Sequence, residues 1–305
     1  MVYYATERGI AVPRRFYTVD VFAEKKYAGN QLAVVRDSHG LSDSDMQRIA
    51  KEMNYSETTF IIREEPERGG FNVRIFTPAE EVPFAGHPTL GTAFVIQQEI
   101  LQHQVPAVQL NLKVGPIPVA FTYRDGEPDI LWMRQIEPIF GETVPHADMA
   151  AVLCLSPADL DPRFPPQEVS TGLPFFIVPL RTLDAVRRAA PATADLLRFV
   201  APYTAKNILV FAPEAYEAGN DFNARVFTDY LGIPEDPATG SANGCLAGYL
   251  VKHRYRGDQR LTANVEQGYE IGRPSLLRLA AEARGGSIEI RVGGRVIPVS
   301  RGELI

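Results

Sequence analysis

The sequence predicts an α+β fold of two pseudo-symmetric domains, each a mostly antiparallel sheet wrapped around a buried central helix. Three observations lead there. The segment FNVRIFTPAEEVPFAGHPTLGTA, residues 71–93, returns altered as FNARVFTDYLGIPEDPATGSA at 222–242, roughly 150 residues on, which is one ordinary domain length. Each copy runs from an aromatic and β-branched strand through a Pro-containing loop into a stretch almost free of charge. A helix without a polar stripe is buried all round, so each copy needs a sheet to enclose it. The boundaries are 14–137 for the first repeat, with the C-terminal strands 285–305 able to cross back and complete it, and 138–284 for the second.

In chain order, Phe16–Phe22 has strand composition, the Tyr27-Ala28-Gly29-Asn30 cluster turns it, and Leu32–Val35 is the next strand. Ser42 starts a helix with Asp45 as capping-box partner and Met46, Ile49 and Met53 as its buried stripe. Tyr55–Ile62 is a strand whose later residues are apolar on both faces and so covered on both sides. Phe71–Phe76 is a strand, Leu90–Leu101 a helix, and Val108–Val114, Ile117–Tyr123 and Ile130–Arg134 a closing meander. The Pro-rich, acidic segment 137–167 reads as a hinge. The second half follows with strands at Phe175–Pro179, Ala205–Phe211 and Phe222–Phe227. Leu183–Val200 is helical with a break at Pro191, and a buried helix runs from Asp236-Pro237 to Val251. Beyond Leu261 the chain is strand-like. Leu276–Ala283 has helix composition in a strand's place, and Gly293-Gly294 suits a two-residue hairpin turn.

Composition narrows the partners. A net charge of −6 over 305 residues argues against a nucleic-acid ligand held by its phosphates. No apolar run reaches the ~18 residues of a membrane span. The first fifteen residues lack an apolar core of signal-peptide length and read as an extension ahead of the first strand. Cys154 and Cys245 form no spaced pair, which makes a reducing cytoplasm the default setting. The five histidines offer no two-histidine metal spacing, and no GxGxxG or Walker loop supports a nucleotide cofactor. Gly240-Ser241-Ala242 is not a nucleophile elbow, and Cys245 reads as packing within a buried helix.

The residues left are in the two loops. Proline favours the first helical position, which would place His87 and Asp236 at the caps. Free N–H groups and small following residues (Thr89, Gly91, Thr92 and Ala93; Ala238, Thr239, Gly240, Ser241 and Ala242) then make each helix start a place for a carboxylate or phosphate. For one loop alone the ordinary reading holds, with Asp236 a plain cap and His87 structural. Two such loops in a duplicated chain reverse it, because duplication builds a cleft with facing walls. Glu57 shares a strand side with Thr59 and Ile61. It is either at an exposed strand start, which the residues alone favour, or in a cleft with its pKa raised for proton transfer. Its place in the second half falls near Lys206-Asn207, so the acid is not repeated.

GNQLAVV (29–35), SETTFI (56–61), PFAGHPTLGTA (83–93), EDPATGSANG (235–244) and QGYEIGRPS (267–275), in that order, resemble the PhzF-like phenazine-biosynthesis family with its diaminopimelate-epimerase-like fold. The resemblance implies a cofactor-free, metal-free isomerase, commonly a homodimer, acting on a small cyclic or unsaturated amino or hydroxy carboxylic acid. By motif it makes Glu57 the proton carrier and His87 and Asp236 its polar companions. Gly86, Gly240 and Ser241 become holders of the substrate carboxylate. Gln31 departs from the family, which often has proline there. The alternatives are a non-catalytic carboxylate-binding protein on the same fold and an amino-acid epimerase. The two-thiol form of the epimerase is disfavoured, since His87 and Asp236 stand where its cysteines would be.

Overall fold

A computed structural model describes residues 13–305. Of the expected N-terminal extension, residues 1–12 lie outside the described residues, whereas Arg14 and Arg15 already belong to the first strand, Arg14–Val21. The fold is a mixed, sheet-rich α+β structure.

The strand pairings come twice in the same order. In the first half Arg14–Val21 pairs antiparallel with Asn30–Val35, which pairs parallel with Glu57–Ile61, then antiparallel with Phe71–Phe76. In the second half Gln167–Ser170, Pro174–Pro179, Asn207–Ala212 and Phe222–Thr228 pair in that sequence and those directions. Each half continues with one parallel pair and an antiparallel meander, 71–76 on 107–112 through 127–134, and 222–228 on 260–267 through 287–294. The halves are stitched by antiparallel pairs, 14–21 with 296–304 and 127–134 with 287–294.

Two helices are enclosed by these strands. Gly86–Val95 buries every residue from His87 to Val95 and winds on as a π-helix over Ile96–Leu101. Gly240–Lys252 buries Gly240 and everything from Ala242 to Val251. Their side chains join the inner faces of both sheets in one core that runs from Tyr17 to Val296. Each large apolar side chain taken from water there contributes about 1.5–3 kcal/mol. Outer faces are covered by surface helices. Asp43–Met53 lies over Val35, Phe60 and Phe76, and carries the expected capping box between Ser42 and Asp45. Leu183–Arg188 and Thr193–Val200, interrupted at Pro191, cover Phe176, Val178, Ile208 and Val210.

Three sequence expectations need correction, and one left open, the state of 276–283, is decided. The segment 137–167 is not a free hinge: it forms a strand, Ile139–Thr143, and a helix, His146–Val152, whose Met149 and Val152 are buried in the second half. Ser275–Arg284 is a strand, because its alternate residues pack inward between two neighbours. Gly293-Gly294 lies within a strand, where a Cβ would come within 2.6 Å of the Trp132 ring and 2.5 Å of Phe22. The hairpin turn is instead Gly285-Gly286, both at positive φ, between paired Arg284 and Ser287. Finally, the buried helix of the second half starts at Gly240, four residues after Asp236, while that of the first half starts at Gly86, ahead of His87.

Candidate active site

The last correction changes the roles of both loops. His87 is the second residue of its helix rather than the cap, and Pro88 is harmless there because first-turn N–H groups have no partner in the helix anyway. Asp236 ends a strand, Ile233–Asp236, held by pairing with Val226. Neither helix is capped by a side chain: Ala85 has none to offer, and Thr239 donates its hydroxyl to Asp236 Oδ2. The two uncapped starts meet. A Cβ on Gly86 would lie 3.6 Å from Gly240 Cα and from Ser241 N. The positive ends of two buried helix dipoles therefore face one small space.

Glu57 opens its strand opposite Leu32, and its side chain is 18% exposed, not the exposed strand start that the residues alone favour. Its buried Oε2 has no hydrogen-bond partner. His87 Nε2 lies 3.4 Å from that oxygen and 3.3 Å from the Gln31 carbonyl. Burial pushes Glu57 up to about 8, with the negative charge of Asp236 adding to the shift. Burial pushes His87 down to about 3, against the pull of its hydrogen bond to Gln31. At neutral pH the pair is therefore a protonated carboxyl beside a neutral imidazole rather than an ion pair.

Asp236 is also raised by burial, but it accepts hydrogen bonds from Thr239 and, at 3.0 Å, from Asn30 Nδ2, which favour its charged form. The two carboxyl groups differ in their surroundings, Glu57 Oε2 partnerless and Asp236 hydrogen-bonded, and burial raises both. The start of the Asn30–Val35 strand sets all three groups. The Asn30 side chain reaches Asp236 and Ala238, the Gln31 carbonyl reaches His87, and Leu32 sets the register of Glu57.

The structure thus brings together Glu57, His87 and Asp236, and brings Gly86 against Gly240 and Ser241. Two groups escaped the sequence analysis. Asn30 looked like a turn residue, although the GNQ motif contained it. Gln267, fully buried, accepts from Thr239 N (3.2 Å) and Asn243 Nδ2 (2.9 Å), and donates to the Asp236 carbonyl (2.7 Å). It fixes the turn between Asp236 and the helix, and the signal for it was the QGYEIGRPS motif. Cys245 is buried in the helix with its thiol pushed up to about 12 by burial.

The mixed α+β fold recurs in other proteins of known structure. A probable proline racemase from Agrobacterium radiobacter matches over 96% of this chain and 93% of its own with a TM-score of 0.62, at 11% identity, a likeness of fold alone. The family follows from two further comparisons and a family model. The Bacillus anthracis phenazine biosynthesis protein of the PhzF family superposes with a TM-score of 0.88 over 97% of this chain and 100% of that one, at 27% identity. The trans-2,3-dihydro-3-hydroxyanthranilate isomerase of Pseudomonas aeruginosa is 34% identical over 295 residues, covering 95% of this chain and 99% of that one. Residues 19–302 match the model for phenazine biosynthesis-like proteins, and the chain belongs to that family; it is an isomerase. Among the described residues no helix is long and apolar enough to cross a membrane.

Proposed function

We propose that this isomerase moves a proton between carbons of a small cyclic or unsaturated amino or hydroxy carboxylic acid, using Glu57 as the carrier. One observation supports this most: a carboxyl oxygen that is buried, unpartnered and raised to about 8, set beside a neutral imidazole in front of two uncapped helix starts. The Pseudomonas relative is named for an acid of this description, a ring bearing an amine, a hydroxyl and a carboxylate.

In this reading the substrate carboxylate docks at the backbone N–H groups of Gly86, Gly240 and Ser241 and at the Ser241 hydroxyl. The Glu57 carboxylate takes a proton from a carbon acidified by neighbouring unsaturation. The C–H electron pair forms a new double bond to the neighbouring carbon while the old π pair moves to the far carbon and takes the proton back from the Glu57 O–H, so no atom is gained or lost. His87 and Asp236 hold an amine or hydroxyl and balance the charge that develops. With a pKa near 8, roughly a tenth of Glu57 is ionised at pH 7, so turnover should rise with pH through that value.

The reading carries the architecture with it. Residues 14–137, completed by 285–305, and 138–284 are two copies of one domain with the site between them. A cytoplasmic homodimer using no cofactor completes the proposal, and light scattering on the purified protein would test the dimer. The test of the reaction is incubation of trans-2,3-dihydro-3-hydroxyanthranilate and related amino and hydroxy acids with the protein in D₂O. Deuterium entering carbon, or product forming, is expected. Binding without either would make the protein a carboxylate binder and sink the proposal.

A further inference from the structure

Between the strands Arg260–Gln267 and Ser275–Arg284 the chain makes a tight turn that ends in Arg273. Arg273 N donates to the Gly268 carbonyl at 2.9 Å. Gly268 stands at φ +76°, where a Cβ would come within 2.5 Å of Arg273 O and 2.6 Å of Pro237 O. The turn is thus seated on the residue that follows Asp236. From there the guanidinium reaches into the first half. Its Nε donates to the Gly29 carbonyl at 2.9 Å, and its Nη2 donates to the Ala28 carbonyl and to Asp20 Oδ1, both at 2.7 Å. Asp20, with its side chain 4% exposed, accepts from Tyr27 N on its other oxygen at 2.6 Å. Gly29 N returns a bond to the Pro274 carbonyl at 3.1 Å.

The turn 27–29 needs that grip. Tyr27 and Gly29 both have φ +67°, a conformation that L-residues rarely adopt, and Tyr27 is 72% exposed, so burial of its ring does not fix it. The next residue is Asn30, itself buried, whose Nδ2 donates to Asp236 Oδ1 and to the Ala238 carbonyl, both at 3.0 Å. The segment 267–274 therefore grips both partners of the Asn30–Asp236 bond. Gln267 holds the Asp236 carbonyl at 2.7 Å, and Arg273 holds the turn directly before Asn30. A guanidinium suits the second task, since its donors point in fixed directions and can serve several acceptors at once.

We infer that Arg273, paired with Asp20, is a positioning residue for the proposed reaction: it locks the turn 27–29 from the other half and so keeps Asn30 on Asp236. The inference rests on the functional reading above and adds to it a residue that acts only through Asn30. Arg273 touches neither Glu57 nor His87 and needs no contact with the substrate. Its effect belongs to the step in which Asp236 steadies the reacting acid, so it appears in turnover rather than in the docking of the carboxylate at the helix starts.

The test follows turnover of trans-2,3-dihydro-3-hydroxyanthranilate, and affinity for 2-aminobenzoate by titration calorimetry, in the full chain and in R273Q, N30A and the double variant. R273Q should lower kcat about tenfold, the scale of one lost hydrogen bond, with affinity within about threefold. N30A should lower kcat at least as much. Adding R273Q to N30A should lower it no further, because the route from Arg273 to Asp236 is then already cut. A pair that only ties the halves together would give losses that multiply. Multiplying losses overturn the inference, as does R273Q or N30A at wild-type turnover. R278Q is the control: Arg278 also crosses to the first half, 3.4 Å from Glu24, and its loss should leave kcat within about twofold. A tenfold fall there would mean that any loosened contact does the same, and overturns the inference. Should R273Q not fold, D20N removes the same ion pair at unchanged size and must show the same outcomes with N30A. A D20N that also fails to fold makes the pair structural and overturns the inference. Wild type that turns over none of the amino and hydroxy acids tried sinks the functional reading and this inference with it, whereas turnover with multiplying losses sinks this inference alone.

Discussion

The two halves follow the same order of strand pairings around the same kind of buried helix, yet they differ wherever a proton could be handled. The register position that holds Glu57 in one holds Asn207 in the other. The loop that puts His87 inside its helix puts Asp236 ahead of the other, at the end of a strand. Under the proposed reaction the two loops have unequal tasks, and their surroundings are unequal in the same places. The two acids also stand in unlike settings, Glu57 with a partnerless oxygen beside His87 and Asp236 with hydrogen bonds from Asn30 and Thr239.

The largest effect expected from breaking this inequality is at Glu57. Glu57→Gln keeps the size and removes the proton, so turnover should fall by roughly 10²–10⁴-fold while affinity for 2-aminobenzoate stays within about threefold. Steady-state kinetics and calorimetry on the same preparation check both halves of that statement. Turnover at the wild-type rate would mean that the asymmetry at this position has nothing to do with catalysis.

A second comparison concerns an ion pair that the repeat wrote twice. Arg74–Glu81 and Arg225–Glu235 are both 2.7 Å apart. Arg74 is the more exposed and also reaches Asp43 on the surface. Arg225 is nearly buried, and its second nitrogen donates to the carbonyls of Val186 and Ala189, at the end of the Leu183–Arg188 helix. Arg225→Ala should cost about 3–5 kcal/mol, because Glu235 and those carbonyls lose a buried partner. The more solvated Arg74→Ala should cost about 1–2 kcal/mol. Equal losses in urea denaturation would show that the second pair is no better buried in energy than the first.

How much of this was legible beforehand depended on distance along the chain. The repeat, the two buried helices, the capping box at Ser42 and the grouping of Glu57, His87 and Asp236 were all written in local pattern or in motifs. What failed was decided by partners far away. Gly293-Gly294 looks like a turn until Trp132 and Phe22 are seen against it. Asp236 looks like a cap until Val226 pairs with it and extends the strand. Glu57 looks like an exposed strand start because nothing near it in sequence covers it; His87 and Asp236 do so from 30 and 179 residues on. The repeat already put the counterpart of Glu57 near Lys206-Asn207, and the strand register makes it Asn207.

The same asymmetry should be visible in stability against pH. Glu57 is raised in the folded protein from an ordinary 4.5 to about 8, so between those values the folded state binds the extra proton. Its contribution is therefore present below about 4.5 and lost as pH rises through 8, opposite to an ion-paired carboxylate. His87, lowered from 6.5 to about 3, has the reverse slope, since the unfolded chain takes up its proton first as pH falls below 6.5. Glu57→Gln should accordingly be more stable than wild type at pH 9, by on the order of 1–3 kcal/mol, and equal to it at pH 4. Melting curves at the two pH values decide; a constant difference would place Glu57 in water.

The smallest effect expected is at Cys245, and it separates this site from one built on paired thiols. The side chain is buried in the helix of the second half, five residues past its start, and contacts Thr171 and the Leu173 carbonyl at 3.6 Å. With its thiol near 12, about one part in 10⁴ is thiolate at pH 8, far too little to act as base or to react with alkylating agents. Cys245→Ala should leave turnover within about twofold and lower stability by about 1 kcal/mol, the loss of one small buried side chain. Iodoacetamide at pH 8 should not inactivate the wild type, although exposed Cys154 will be modified, as mass spectrometry can verify. Inactivation that tracks modification of Cys245 would return the protein to the thiol-dependent epimerases and take the proton-carrying role from Glu57.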